Sequence, residues 1–570
     1  MLAAQDGELP QRQLFVLVRL GWQEARREVW SASFLQAAQA GEADVRSTEI
    51  VLALVALGAI GAAFANRLRI PPPSLLVLAG LLAGLLPGVP AVRVSPDVVS
   101  FVVLPPLLWA ATDDLPWRDL RAVWRPVVVL AVGLVLASAG AVAGVLTALT
   151  AVPLSMAFVL GAVLASTDPV AVSALGRRLS LPPRLQALVQ GESLFNDATS
   201  LVLFQIAVSF AVSAPASAGL GGVLWHGAVQ FAVLAGGGAL AGGLIAAVVL
   251  AVRTRITDPV LESVVALVTP YVAYVLGTAL HVSGVTAVIV AGLVIGTRRT
   301  RITTAATRLQ VHAVYQTVIF LLESVVFSLI GLELPTLVSD LGQAGPWPLV
   351  ALALAATLIV TRVLWVFPLW VGRQWRQGRR RPSWAVPAVV SWAGTRGVVP
   401  LAAALSIPLT TDSGVALPQR DLLLVLAVTV IVISLIVQGL TLEPLVRRTA
   451  VAQPAATAEQ EEAAARLRLA EAGIARLDEL AASEEVPDAE IDRIRRALNA
   501  RIGRARTHLG QDRDATPHGW SGRDIHRDVI AAENAELAGL YAAGTISAAT
   551  RQRLQRALDL ELARLGSETD

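Results

Sequence analysis

Gly191-Glu192-Ser193-Leu194-Phe195-Asn196-Asp197 opens a long apolar run, and from Leu185 to Val212 Glu192 and Asp197 are the only ionisable side chains. A charged carboxylate near the middle of a bilayer costs roughly 2.5–3.5 kcal/mol on insertion scales, and acids kept at that depth mark ion or proton pathways. The stretch is therefore read as one helix of a membrane protein with Asp197 as its working group. Ser193 and Asp197 lie four residues apart, as do Glu192 and Asn196, so the two pairs form adjacent strips on one helical face. Ser200 extends that polar strip.

Composition sets the context. Of 570 residues, 55% are hydrophobic and only 16% charged, and the mean hydropathy is +0.63. A soluble chain of this size divides into domains with charged surfaces. Here the apolar residues come in blocks of about 20, the length of helix that crosses ~30 Å of hydrocarbon. There is no cysteine, so a disulfide framework and Cys-based metal sites are excluded, and the six histidines show no ligand spacing. No resident cofactor and no nucleic-acid partner is indicated. All 46 basic residues are arginine.

Thirteen apolar spans are predicted, at about 48–65, 74–89, 98–112, 126–150, 154–175, 185–212, 225–252, 260–280, 284–297, 313–333, 347–372, 384–407 and 421–443. Loops after odd-numbered spans carry 19 arginines, whereas loops after even-numbered spans carry two, Arg93 and Arg420. The positive-inside rule puts the odd loops and the C-terminus in the cytoplasm and the N-terminus outside. Residues 1–46 lack the basic start and short apolar core of a cleaved signal peptide and are read as an extracytoplasmic extension. Residues 47–445 are the transmembrane domain. After Arg448 the composition changes: residues 451–570 hold 21 acidic and 16 basic side chains. Leu467, Ile474 and Leu477, then Ile491, Ile494, Leu498 and Ile502, recur at helical spacing, so residues 446–570 are read as a soluble helical cytoplasmic tail.

Two spans carry helix breakers in their interiors. Ser166-Thr167-Asp168-Pro169 interrupts the fifth, and an interior Asp-Pro is expected to open the helix and free backbone carbonyls. In a membrane that is tolerated only where the freed groups are buried in protein or line a wet cavity. The second Thr-Asp-Pro, at Thr257-Asp258-Pro259, is read instead as an N-cap with proline at the first helical position. The twelfth span has the matching irregularity, Gly394-Thr395-Arg396-Gly397-Val398-Val399-Pro400. Interrupted spans at corresponding positions of two inverted halves point to a transporter's central site. The carboxylate, hydroxyl and amide carbonyl of Asp197, Ser193 and Asn196 are hard oxygen donors suited to a small cation, with carbonyls near Thr167 completing the shell. Arg396 needs an internal partner, which either Glu192 or Asp168 could supply.

These elements resemble the NhaP/NHE branch of the monovalent cation:proton antiporters. The resemblance rests on Thr167-Asp168-Pro169, the Gly191–Asp197 stretch and Gly394-Thr395-Arg396-Gly397. Leu104-Pro105-Pro106-Leu107-Leu108, His281-Val282-Ser283-Gly284-Val285 with Gly292-Leu293, and the run Phe327 to Leu334 support it in the same order along residues 48–445. It implies a thirteen-helix inverted-repeat fold with two broken crossing helices, usually a homodimer, in a bacterial plasma membrane. It further implies that Asp197 binds either a cation or a proton, and that Ser193 and Thr167 help ligate the ion. Asn196 would orient the carboxylate, Glu192 would pair with Arg396, and Asp168 would sit at the helix crossing. Relatives commonly carry an acid where this chain has Ala110, with Asp113 and Asp114 about one turn further on; Glu323 matches an acidic position of eukaryotic relatives.

The expected activity is transport, not enzymatic catalysis: exchange of Na⁺ or Li⁺ for H⁺ by alternating access. Since the neighbour of Asp197 is an amide and not a second acid, one exchangeable charge and an electroneutral 1:1 stoichiometry are predicted. A K⁺/H⁺ antiporter using the same site is an alternative, and a gated cation channel or sensor on this fold is the alternative from another class.

Overall fold

The computed structural model describes residues 72–86, 99–168, 181–213, 220–302, 305–341, 345–376, 383–408, 417–451, 455–482 and 488–509, apart from a few single positions within them, and scattered positions elsewhere. The N-terminal extension, more than half of the first span, Pro169 with the rest of the fifth span, Asp114 and nearly all of the end of the tail lie outside the described residues. The architecture is all-helical. The chain divides into two compact units, residues 1–453 and 454–570.

In the first unit α1 (Pro72–Gly84) is followed by α2 (Leu104–Asp113), which a π-helical turn at Val99–Val103 precedes. Next come α3 (Trp117–Val128), a π-helical stretch at Val129–Leu134, and α4 (Val135–Leu149), which together form one long rod. α5 (Leu154–Ala165), α6 (Pro183–Ser213), α7 (Leu220–Arg253), α8 (Pro259–Ala279), α9 (Gly284–Ile302), α10 (Ala305–Leu341) and α11 (Trp347–Arg376) follow. Two half-length helices, α12 (Ala385–Trp392) and α13 (Val398–Leu405), precede α14 (Arg420–Thr449).

Among the described residues seven helices are long and apolar enough to cross a membrane, and four apolar helices are shorter, including those at Pro72–Gly84 and Leu154–Ala165. The predicted twelfth span is the pair α12 and α13 with five non-helical residues between them. The second Thr-Asp-Pro behaves as a cap: the Asp258 side chain accepts from the N–H of Val260 (2.7 Å) and of Leu261, and Pro259 takes the first helical position.

Burial ranks the helices. The apolar window of α14 is 72% buried, that of α7 only 28%, so α14 is a core helix while α7 turns Leu240 and Leu244 outward. In a bilayer, helices associate through close packing more than through apolar burial, and small residues make the interfaces. α1 and α10 meet in this way. A Cβ added at Gly80 would collide with the Ser328 carbonyl, and one at Gly331 with that of Val77. Gly80→Val is therefore expected to force the two helices apart, at a cost of about 1–3 kcal/mol from overpacking. Thermal unfolding of the purified protein in detergent measures it; an unchanged midpoint would contradict the packing.

In the second unit α15 (Ala455–Ala481) and α16 (Asp488–His508) run antiparallel. Arg495 reaches Asp478 at 2.7 Å, and Gly473 lies against Leu498. Leu477 and Ile491 are buried, while Ile494, from the same apolar set, is exposed.

Candidate ion-binding site

α5 ends at Ala165, and Ser166 continues in an extended conformation (φ −64°, ψ 145°). The last carbonyls of a helix have no partner within it, and here those from Ala165 to Asp168 are met one by one. Arg396 Nη1 donates to the carbonyls of Ala165 (2.8 Å) and Ser166, Ser193 Oγ donates to that of Thr167 (2.5 Å), and Thr395 Oγ1 donates to that of Asp168 (2.7 Å). One turn earlier, Ser200 Oγ donates to Ala162 O at 2.6 Å. The polar strip read on α6 is thus the surface on which the opened end of α5 rests.

Asn196 and Thr167 are paired twice. Asn196 Nδ2 donates to Thr167 Oγ1 (2.5 Å), and the Thr167 N–H donates to Asn196 Oδ1 (3.3 Å). Asp197, 7% exposed, accepts a hydrogen bond on Oδ1 from Ser166 Oγ. No described residue donates to its other oxygen, which leaves Oδ2 open to a cation or proton. Ser166 is a site residue that the sequence reading passed over. Its place directly before Thr167-Asp168-Pro169, at the point where the helix opens, was the available signal.

The expected Glu192–Arg396 pair does not form. Glu192 is gripped by Arg362 of α11, Nη1 lying 2.6 Å from Oε1 and Nη2 2.8 Å from Oε2, with both side chains 4% exposed or less. Arg362 Nε also donates to Val390 O at 3.1 Å. Two parallel contacts satisfy the planar fork of a guanidinium better than a single one. Arg396 is occupied instead at the C-terminal end of α5, where a cation meets the negative end of the helix dipole. Arg362 was legible by the same criterion as Asp197, a charge in mid-span, but counting arginines in loops alone passes over it.

Asp168 stands at the crossing of the two breaks. Its N–H donates to Thr395 O at 2.7 Å, and its carboxylate abuts Gly397, where a Cβ would overlap it. Only glycine lets the carboxylate sit against the start of α13, where a negative charge is favoured. The hydrogen bonds around Asp197 and the opened end of α5 come from α5 and the three residues after it, from α6, and from the residues between α12 and α13. Glu323, half-buried on α10, and Ala110, half-buried on α2, contribute none of them. A cavity of about 30 Å³, lined by Arg362, Gly394, Arg396, Ser434 and Gln438 among others, lies behind the crossing. It has room for about two waters.

Comparison with known proteins identifies the family. Residues 51–448 match the family model described as the transmembrane domain of sodium/hydrogen exchangers. An uncharacterised Na⁺/H⁺ exchanger of Mycobacterium bovis is 37% identical over 407 residues, covering 70% of this chain and 74% of the relative. A "sodium, potassium, lithium and rubidium/H⁺ antiporter" of Bacillus pumilus is 30% identical over 416 residues, covering 69% of this chain and 61% of the relative. Among solved structures, the sodium proton antiporter MjNhaP1 of Methanocaldococcus jannaschii at pH 8 superposes with a TM-score of 0.56 at 21% identity, over 71% of this chain and 98% of that one. That likeness is one of fold.

Proposed function

This chain belongs to the sodium/hydrogen exchanger family, a family of membrane transporters and not of enzymes, and we propose that it exchanges Na⁺ or Li⁺ for H⁺ one for one at Asp197. The observation that carries this reading is a buried carboxylate with one oxygen held by Ser166 and the other open, at the point where α5 unwinds. A proton or a monovalent cation on Asp197 makes the loaded site neutral in either form. The empty, charged site is costly to carry through the apolar interior of the membrane, so it exchanges its cargo and does not leak. Ser193 and Thr167 act through the opened backbone: the Thr167 carbonyl and the two hydroxyls lie within one hydrogen-bonded group beside the carboxylate. Asn196 keeps Thr167 in place.

Electroneutral exchange is supported by the company Asp197 keeps. Asn196 cannot hold a second charge, Glu192 is committed to Arg362, and Asp168 faces the start of α13. In proteoliposomes a pH gradient is expected to drive Na⁺ uptake, while an imposed membrane potential without a pH gradient drives none. Net Na⁺ flux under potential alone would refute the 1:1 stoichiometry.

The name of the Bacillus pumilus relative keeps K⁺ exchange as the second reading. The hydroxyls and carbonyls around Asp197 are oxygen donors that serve either ion. The arginine asymmetry of the loops supports a cytoplasmic C-terminus in a bacterial plasma membrane, and the family resemblance supports a homodimer.

A further inference from the structure

In an unbroken helix the N–H of Arg396 would bond to the carbonyl of Trp392, four residues earlier. The break between α12 and α13 removes that bond, and three hydrogen bonds through α14 take its place. The Arg396 N–H donates to Ser434 Oγ at 3.0 Å, and Ser434 Oγ donates to Gln438 Oε1 at 2.5 Å. Gln438 Nε2 then donates to Trp392 O at 3.4 Å. Ser434 and Gln438 are themselves four residues apart on α14, so one turn of an intact helix spans the opened turn of a broken one. Both are buried, at 7% and 3% exposure.

We propose that Ser434 and Gln438 are positioning residues for the ion site, acting through Arg396. The inference rests on the exchange reading above. It follows from where the splice leads. The backbone of Arg396 is fixed by Ser434, and its side chain holds the carbonyls of Ala165 and Ser166. Ser166 in turn holds Asp197. Neither α14 residue touches the carboxylate, yet the two set where the far end of this chain of contacts lies. A cavity-lining role alone would not require both donor and acceptor of the lost helical bond to be met by one i, i+4 pair.

The test measures Na⁺-dependent proton movement in proteoliposomes for Ser434→Ala, Gln438→Met and the double variant, with Ser434→Thr as the conservative control. Gln438→Met keeps length and volume but removes the amide. Each single variant is expected to raise the apparent KM for Na⁺ about five- to tenfold, with the maximal rate changed less. The double variant should be no worse than the worse single one, since either cut opens the same splice. Ser434→Thr keeps the hydroxyl and should stay within twofold of the unmodified protein. Folded single variants with an unchanged KM, or a double variant whose effects multiply, would overturn the proposal. If Ser434→Ala does not fold, Gln438→Met carries the same test from the other end of the splice. Cation-independent proton flux in the unmodified protein would sink the exchange reading itself, a different result from a KM that does not move.

Discussion

Asp197→Asn is expected to reduce cation-dependent proton movement to the level of protein-free vesicles while the protein stays folded. The substitution keeps the shape of the side chain and its Oδ1, so Ser166 can still donate to it. What it removes is, among the described site residues, the one charge that is neither in an ion pair nor set against a helix end. An amide can neither hold the proton nor neutralise the cation, so both half-reactions stop together. Stability should not fall, since a group whose charged form is costly to bury has been replaced by one that carries no charge. Binding offers a second measurement. A ligand present at 100 times its Kd stabilises the form that binds it by about 2.7 kcal/mol, so Na⁺ should raise the unfolding temperature of the unmodified protein and not that of the variant. Retained cation-dependent proton flux in Asp197→Asn would refute the site assignment.

The second large effect concerns stability. Removing one partner of a buried ion pair leaves an uncompensated charge, at a cost of about 3–5 kcal/mol, whereas replacing both partners with well-packed apolar groups is often neutral. Glu192→Gln, Glu192→Leu and Arg362→Met are each expected to destabilise the protein by that amount. The double variant Glu192→Leu/Arg362→Met should recover most of the loss. Against Arg396 the outcome differs: Glu192→Gln combined with Arg396→Met should be close to additive, because the Arg396 side chain donates to the carbonyls of α5 and not to Glu192. Thermal or denaturant unfolding in detergent measures both cycles. Strong coupling between Glu192 and Arg396, with none to Arg362, would restore the pairing expected from the sequence and contradict the observed geometry.

Much of the site could be read without coordinates because insertion into a membrane makes polar residues conspicuous. Asp197 stood out as a charge in an apolar run. The two breaks stood out because proline and glycine in mid-span cannot continue a helix without cost. Both breaks are present, at Ser166–Asp168 and at Gly394–Gly397, and the carbonyls freed at the first are met as the physics of a dry interior requires. Ser434 escaped notice because a serine in a membrane helix carries no comparable signal. Its hydroxyl can always bond back to its own helix, and Ser406 donates to Ala402 O in that way.

By itself, the sequence determined the class of the protein, the helix carrying the mid-span acid Asp197 and the positions where two helices must open. Each of those follows from the cost of placing one residue type in hydrocarbon, a local quantity. The partners were decided only in three dimensions: Arg362 and not Arg396 for Glu192, Ser166 for Asp197, and a pair on α14 for the opened turn. A buried guanidinium or hydroxyl must find a partner, but several lie within reach along the chain, and the packing of helices far apart in sequence chooses among them.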